Sequence, residues 1–215
     1  MSLPQFEINI TAYERADYPN ALIEALRIAL PSAHITVWDN SPEPLAILGA
    51  DLVRHHRFNP SLSRVWNWAI AQSRSDWTLV ANDDIRLENN WVKALDEDFR
   101  GSPPALWHGP SRFFLFNRAL LDSIGWFDER LCGFTYEDLD YVRRMNHAKA
   151  PHRYGTLSSL NRTAVSLKHE ISTRACHPAG NQDFMRTKYH PGSAQEDFHA
   201  TPLFDTPDFY PRRAR

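Results

Sequence analysis

Glycine and cysteine are scarce in this chain, and their scarcity excludes several chemistries. Only 8 Gly occur among 215 residues, and neither common Gly-rich phosphate loop is present. The 2 Cys, Cys132 and Cys176, are too few for a disulfide framework. No HExxH or CxxC pattern supports a hydrolytic zinc site, and no GxSxG elbow presents a nucleophilic serine. No apolar run approaches the ~20 residues of a membrane span. The opening MSLPQFEINI has no basic start and no long apolar stretch of a secretory leader. The expectation is a cytoplasmic protein that makes no use of a membrane. Asn9 and Asn161 match the glycosylation pattern, which carries little weight without a leader. An excess of one charge is also missing. Lys+Arg is 24 against Asp+Glu 26, a net charge of −2, so generic coating of nucleic acid is disfavoured.

What is present is ordinary for one globular domain with an ample core: 42% hydrophobic and 23% charged residues. Residues 6–11 (FEINIT) alternate and read as a strand. Asn20 is a candidate cap for a helix carrying Leu22, Leu26 and Leu30, stopped by Pro31. Residues 34–38 (HITVW) form the next strand, Ser61 caps a helix with Leu62, Val65, Trp66, Ala69 and Ile70 on one side, and residues 77–80 (WTLV) form a third strand. This β-α-β-α-β run predicts an α/β fold with a parallel sheet. Further on, residues 113–116 read as a buried strand, 117–124 as a short helix closed by Gly125, 136–146 as a helix with Leu139, Val142 and Met145 apolar, and 164–167 as a last strand. From Ala175 no period is visible, so an irregular tail is expected. The division is one domain: a nucleotide-binding half over 1–84, an acceptor half over 85–174 and the tail over 175–215.

Ligands of open α/β sheets bind beyond the carboxyl ends of the strands. Asp39 directly follows HITVW, and Asp83 and Asp84 follow WTLVAN. Adjacent carboxylates repel unless a cation or a donor neutralises them; an Asn-Asp-Asp run also reads simply as a turn. Glu137, Asp138 and Asp140 open a helix, where the dipole alone favours acids. Asp138 stands four residues before Val142, on or beside the inward face, as a general base would. His169 follows the strand candidate AVSLK, either as a structural His or, with a carboxylate site, as a ligand for Mn²⁺ or Zn²⁺.

In order along residues 6–190, these pieces resemble family 2 glycosyltransferases of the GT-A fold. Asp39-Asn40-Ser41 is similar to the family's "DNGS" turn, and Asn59 and Asn67 hold two Asn positions of its helix motif, with Ser61 where the family has Gly. NDDI resembles the "DxD" metal motif. The most specific stretch is FFLFNRALLDSIGWFDERLCGFTYEDLDYVRRM, similar to the family's "GxFDE…EDxDxxxR" block. LKHEISTR resembles the late His segment, and NQDFMRTKYHPG the closing motif, with Tyr189 for Trp and His190 for Gly.

The resemblance implies a GT-A (Rossmann-like) fold, a mostly parallel central sheet flanked by helices. It implies a metal-dependent, inverting transferase that moves a sugar from a nucleoside-diphosphate sugar, UDP favoured, to an acceptor hydroxyl, on a glycan. The donor would meet Thr11, Tyr13, Asp39, Asn59, Arg64 and Asp83. Mn²⁺ or Mg²⁺ would be held by Asp84 and His169, with Arg57, Arg64 and Lys188 as further diphosphate partners. Asp138 would be the general base, and Glu137 would bind a sugar hydroxyl. Trp126 and Phe127 would build the acceptor wall, where plain core packing is the competing reading of Trp126. Cys132 would fill space near the site. Two other readings compete: a non-catalytic nucleotide-sugar or glycan-binding module, and a transferase acting on a hydroxylated nucleic-acid base through Arg212, Arg213 and Arg215. The overall charge argues against the last.

Overall fold

The computed structural model describes residues 3–57, 61–87, 89–100, 104–109, 113–131, 136–154, 164–166 and 178–189. Strands β1 (Phe6–Ala12), β2 (Ile35–Asp39), β3 (Leu52–His55), β4 (Trp77–Asn82), β6 (Leu106–His108), β7 (Phe113–Asn117) and β8 (His152–Tyr154) form one sheet in the order β3-β2-β1-β4-β7-β6-β8. All run parallel except β7, which is antiparallel to β4 and β6. A second, two-stranded sheet pairs β5 (Ile85–Leu87) with β9 (Ala164–Ser166). The helices are α1 (Asp17–Ala29), α2 (Leu62–Gln72), α3 (Trp91–Phe99), α4 (Leu120–Ser123), α5 (Glu137–His147) and α6 (Pro178–Lys188). Among the described residues, no helix is long and apolar enough to cross a membrane.

The central strands bury both faces, as a helix-covered parallel sheet requires. Ile8 and Ile10 of β1 pack with Leu22, Ile23 and Leu26 of α1 and with Trp91 and Leu95 of α3. β7 splits its side chains between two cores: Phe113 and Leu115 join that layer, and Phe114 and Phe116 join Trp66, Phe127 and Tyr141 on the other face. On this second face, Trp38 packs on Val65, Trp68 and Ala69 of α2. On the same face, the Trp38 indole donates to Asn9 Oδ1 at 2.8 Å, satisfying two polar groups in an apolar layer.

Several local expectations need correction. Asn20 is not a cap. α1 begins three residues earlier, at Asp17, and the Asn20 side chain instead donates to Ala46 O at 3.0 Å and accepts from Leu48 N at 2.8 Å, pinning the loop after β2. Leu139 is 41% exposed; the buried face of α5 is made by Tyr141, Val142 and Met145, with Asp140 and Arg144 between them. A helix, α6, stands within the stretch expected to be aperiodic. Ser61 does cap α2, its Oγ accepting from Arg64 N at 3.3 Å. Gly125, at φ 82°, ends the short helix α4 as expected.

Candidate functional site

The register of the sheet lines up one rim. His55 pairs with Asp39, Asp39 with Ala12, and Thr11 with Asn82, so the carboxyl ends of β3, β2, β1 and β4 stand side by side. Main-chain bonds stitch the loops that leave this rim. Asp83 N donates to Thr11 O at 3.0 Å, and Asn40 N donates to Ala12 O at 3.0 Å. Thr11 Oγ1 donates to Asn82 Oδ1 at 2.8 Å, Tyr13 N donates to Asp83 Oδ2 at 3.2 Å, and Glu14 N donates to Ser41 Oγ at 2.8 Å. The loop after β1 is thereby held against both neighbouring strand ends.

The two expected rim carboxylates differ. Asp39 is fully buried, and its oxygens accept from Ser41 N at 3.0 Å and Leu45 N at 2.8 Å. It shapes the loop after β2, and in this conformation its carboxylate is engaged by main-chain amides. Asp83 is 8% exposed. Burial pushes its carboxyl up to about 7, against the Tyr13 amide, and the neighbouring Asp84 charge pushes the same way. Asp84 is half-buried in the tight turn between β4 and β5. Two adjacent carboxylates, one buried and resisting ionisation, are a donor pair that a divalent cation would relieve. Among the described residues, no three His, Cys, Asp or Glu side chains come together as a metal cage. His169, Asn59, Cys132, Arg212, Arg213 and Arg215 lie outside the described residues.

Around α2, Asn67 is fully buried and reads the loop after α4 with both ends of its amide. It donates to Phe127 O and to Glu129 Oε1, each at 2.9 Å, and accepts from Phe127 N at 2.9 Å. Arg64 reaches Glu129 Oε2 at 3.3 Å from the same helix. Phe127 therefore points inward. It is 2% exposed, stacks on Tyr141 at 4.3 Å and meets Trp66 edge-on at 5.1 Å, so it is core and not an acceptor wall. Trp126 is half-buried and packs between both cores of that face.

Of the acids that open α5, Asp138 is half-buried and its Oδ1 accepts from Leu139 N at 2.8 Å. Glu137 and Asp140 are buried, so Glu137 does not present its carboxylate to a bound sugar in this conformation. Asp140 belongs to an ionic cluster. It accepts from Arg144 Nε at 2.9 Å, from Lys188 Nζ at 2.7 Å and from the Tyr189 hydroxyl at 2.7 Å. Lys188 also meets Asp128 at 2.7 Å, and Arg130 grips Asp128 at 2.7 Å. Burial raises the Asp128 carboxyl, but Arg130 and Lys188 outweigh it and hold the group well below the usual carboxylate range. Arg144 further donates to Ile124 O at 2.8 Å and Trp126 O at 2.9 Å. Lys188, expected as a diphosphate partner, is instead this buried clamp between α6, α5 and the loop after α4.

The sequence reading missed the far part of the rim. β6 and β8 run parallel to β4, and their last residues, His108 and Tyr154, pair in register. The two rings stack at 4.9 Å with 25° between planes. At the near end, His56 follows β3 and packs 5.8 Å from Trp38 and 4.7 Å from Trp68. Strands of three or four residues give almost no periodic signal, which is why sequence alone does not place these rings.

No family model matches this sequence, and no curated protein is similar to it in sequence. Solved structures are similar to it in fold. TarS (1–349) of S. aureus in complex with UDP-GlcNAc aligns at TM-score 0.63 and 14% identity, over 85% of this chain and 64% of that one. A second TarS (1–349) structure aligns at 0.57 and 15%, over 76% and 60%. A mutant of the Drosophila β-1,4-galactosyltransferase 7, in complex with manganese, UDP-Gal and xylobiose, aligns at 0.60 and 12%, over 88% and 82%. This chain thus spans less than two thirds of either TarS chain.

Proposed function

We infer a function from the GT-A fold that the chain shares with these solved neighbours. We propose that it is a glycosyltransferase, which moves a sugar from a nucleoside-diphosphate sugar, a UDP-sugar in the first instance, to a hydroxyl of a glycan, with inversion at the anomeric carbon. The observation that carries this reading is the rim itself: Thr11, Asp83 and Asp84 gathered at the carboxyl ends of β1 and β4. The nucleotide lies over Thr11 and Tyr13, with Asp39 holding the loop beneath; Arg64 and Asn59 are proposed as further donor contacts.

Mn²⁺ or Mg²⁺ would be held by Asp84, with His169 as a second ligand. Bound there, such a cation neutralises the charge that grows on the leaving diphosphate. Asp138 accepts the proton of the acceptor hydroxyl. That oxygen forms its bond to the anomeric carbon from the face opposite the diphosphate. The glycosyl–phosphate bond breaks with its electron pair on the nucleoside diphosphate.

The test is a thermal-shift panel of UDP, GDP, dTDP and CMP, each with Mn²⁺, Mg²⁺ or EDTA. A ligand at 100 times its Kd stabilises by about 2.7 kcal/mol. A cation-dependent shift with one diphosphate is expected; no shift with any of them would overturn the donor site. Asp138→Asn should then keep the shift and lose about 10²–10⁴-fold in turnover. Unchanged transfer by Asp138→Asn would remove Asp138 as the base, whereas a wild type that binds the donor and transfers nothing would favour a binding module.

A further inference from the structure

The far end of the rim holds an aromatic platform that the proposed reaction does not yet use. Tyr154 is the last residue of β8, and it is 55% exposed. One face of its ring lies on the His108 imidazole, and His152 meets it edge-on at 5.8 Å. His108 is itself buried and tilts onto Phe114 of the core at 6.4 Å. The stack is therefore anchored from below, and more than half of Tyr154 is exposed. Burial first, and then the Asp138 carboxylate, raise the Tyr154 phenol above its ordinary value. The ring is thus an electrostatic neighbour of the acid assigned as base. Burial also pushes His108 down to about 4, with His152 adding to the effect, so a neutral imidazole supports the ring at pH 7.

Exposed tyrosines are common singly and need no explanation. This one is held flat by a buried ring, at the carboxyl end of a parallel strand, on the rim where α/β sheets take ligands. An aromatic face held that way suits the apolar C–H face of a pyranose. Resting on the glycosyltransferase reading, we propose that Tyr154, supported by His108, is the stacking platform for the pyranose ring of the acceptor. The platform delivers the acceptor hydroxyl to the Asp138 side of the site, and it replaces Phe127 as the aromatic wall.

The experiment uses the full chain with UDP and Mn²⁺ present. Saturation-transfer NMR measures binding of xylobiose, cellobiose and lactose to wild type, Tyr154→Ala and Tyr154→Phe. Tyr154→Ala should weaken the best of these disaccharides by about tenfold, and Tyr154→Phe should keep it within about twofold. In turnover assays the same loss should fall on the acceptor KM, with the donor KM unchanged. A Tyr154→Ala variant that binds as well as wild type overturns the proposal, as does failure of all three disaccharides to bind wild type. Ring-dependent binding without sugar transfer would leave this site standing and sink the glycosyltransferase reading instead. Circular dichroism of both variants separates loss of binding from loss of fold.

Discussion

At the rim of the parallel strands, Asp39 and Asp83 are answered by backbone amides. In the cluster under α5, Asp128 and Asp140 are answered by Lys188, Arg130 and Arg144. The consequences are opposite. Asp83 is pushed up to about 7, whereas Asp128 is held below the ordinary range. An amide supplies a partial charge, which does not offset the burial of a whole one. The rim carboxylate is therefore left wanting positive charge from outside, and the cluster carboxylates have theirs built in. Both regions carry acids inside motifs that resemble those of the same enzymes. Only the first has the electrostatics of a site that awaits a ligand. The second resembles a structural clamp, whose value is geometry more than stability, because a buried ion pair barely outweighs its own desolvation.

Breaking the clamp should give the largest effect. Asp140→Ala strands a fully buried Arg144 and half of the Lys188 contacts. Urea unfolding should show a loss of about 3–5 kcal/mol. Lys188→Met should cost less, because Arg130 and Arg144 still answer one carboxylate each. A loss under about 1 kcal/mol for Asp140→Ala would show that the cluster is not a clamp at all.

The rim should respond with the opposite sign. Folded Asp83 keeps its proton to about pH 7, while an unfolded Asp ionises near 3.8. Between those values the native state holds the extra proton, so stability falls as pH rises. Over that window the change is about 4 kcal/mol, at about 1.4 kcal/mol per pH unit. Asp83→Asn keeps the Tyr13 amide bond and removes the slope, so it should be more stable than wild type at pH 8 and equal at pH 4. Mn²⁺ should narrow the gap at pH 8 by stabilising wild type. Equal pH profiles for both proteins would mean that the rim is already neutralised.

These two regions are not equally legible in the sequence. β1, β2, β4, β7 and α2 announce themselves by alternation, apolar runs and the Ser61 cap, and their order places Asp39, Asp83 and Asp84 at strand ends without any structure. α5 is legible as a helix, but its facing is not, because Leu139 looks inward by hydrophobicity while Asp140 and Arg144 are the buried pair. Hydrophobicity cannot identify a buried charge whose partner, Lys188, lies 48 residues on in a stretch with no visible period. Phe127 reads as a wall because aromatic residues suit both roles; its burial and its stacking on Tyr141 reveal which way it turns. α3 carries Trp91, Ala94, Leu95 and Phe99 at helical spacing and was legible in principle. β6 and β8 were not.

His108 lets the comparison be sharpened from the far rim. An ordinary His titrates near 6.5, and burial lowers this one to about 4. In that window the unfolded chain binds the proton and the native chain does not, so stability falls as pH drops, by about 3 kcal/mol. This slope opposes that of Asp83 over nearly the same range, and the wild-type profile should be flatter than either alone. His108→Phe should expose the Asp83 slope, and Asp83→Asn should expose the His108 slope. Thermal melts of the two variants and their double from pH 4 to 8 read both at once. Parallel profiles would mean that neither group is as buried in solution as its packing indicates.

The smallest effect tests how far the amide-held rim tolerates strain. Ser61 caps α2 with its hydroxyl while its backbone stands at φ 142°, ψ 157°, a region that L side chains rarely enter. One residue therefore both satisfies the helix end and resists its own conformation. The two terms can be separated because glycine removes only one unfavourable part. Ser61→Ala keeps the strain and loses the cap, which should cost about 1 kcal/mol. Ser61→Gly loses the hydroxyl, a matter of a few tenths of a kcal/mol at this position, and relieves strain of about 1–3 kcal/mol. Glycine also widens the unfolded ensemble, which takes back about 0.4–1 kcal/mol. The net for glycine is then a gain of about 1 kcal/mol, opposite in sign to alanine. Chemical denaturation of the pair measures it. If both substitutions destabilise equally, the strained backbone contributes nothing, and the hydroxyl alone accounts for serine at the start of α2.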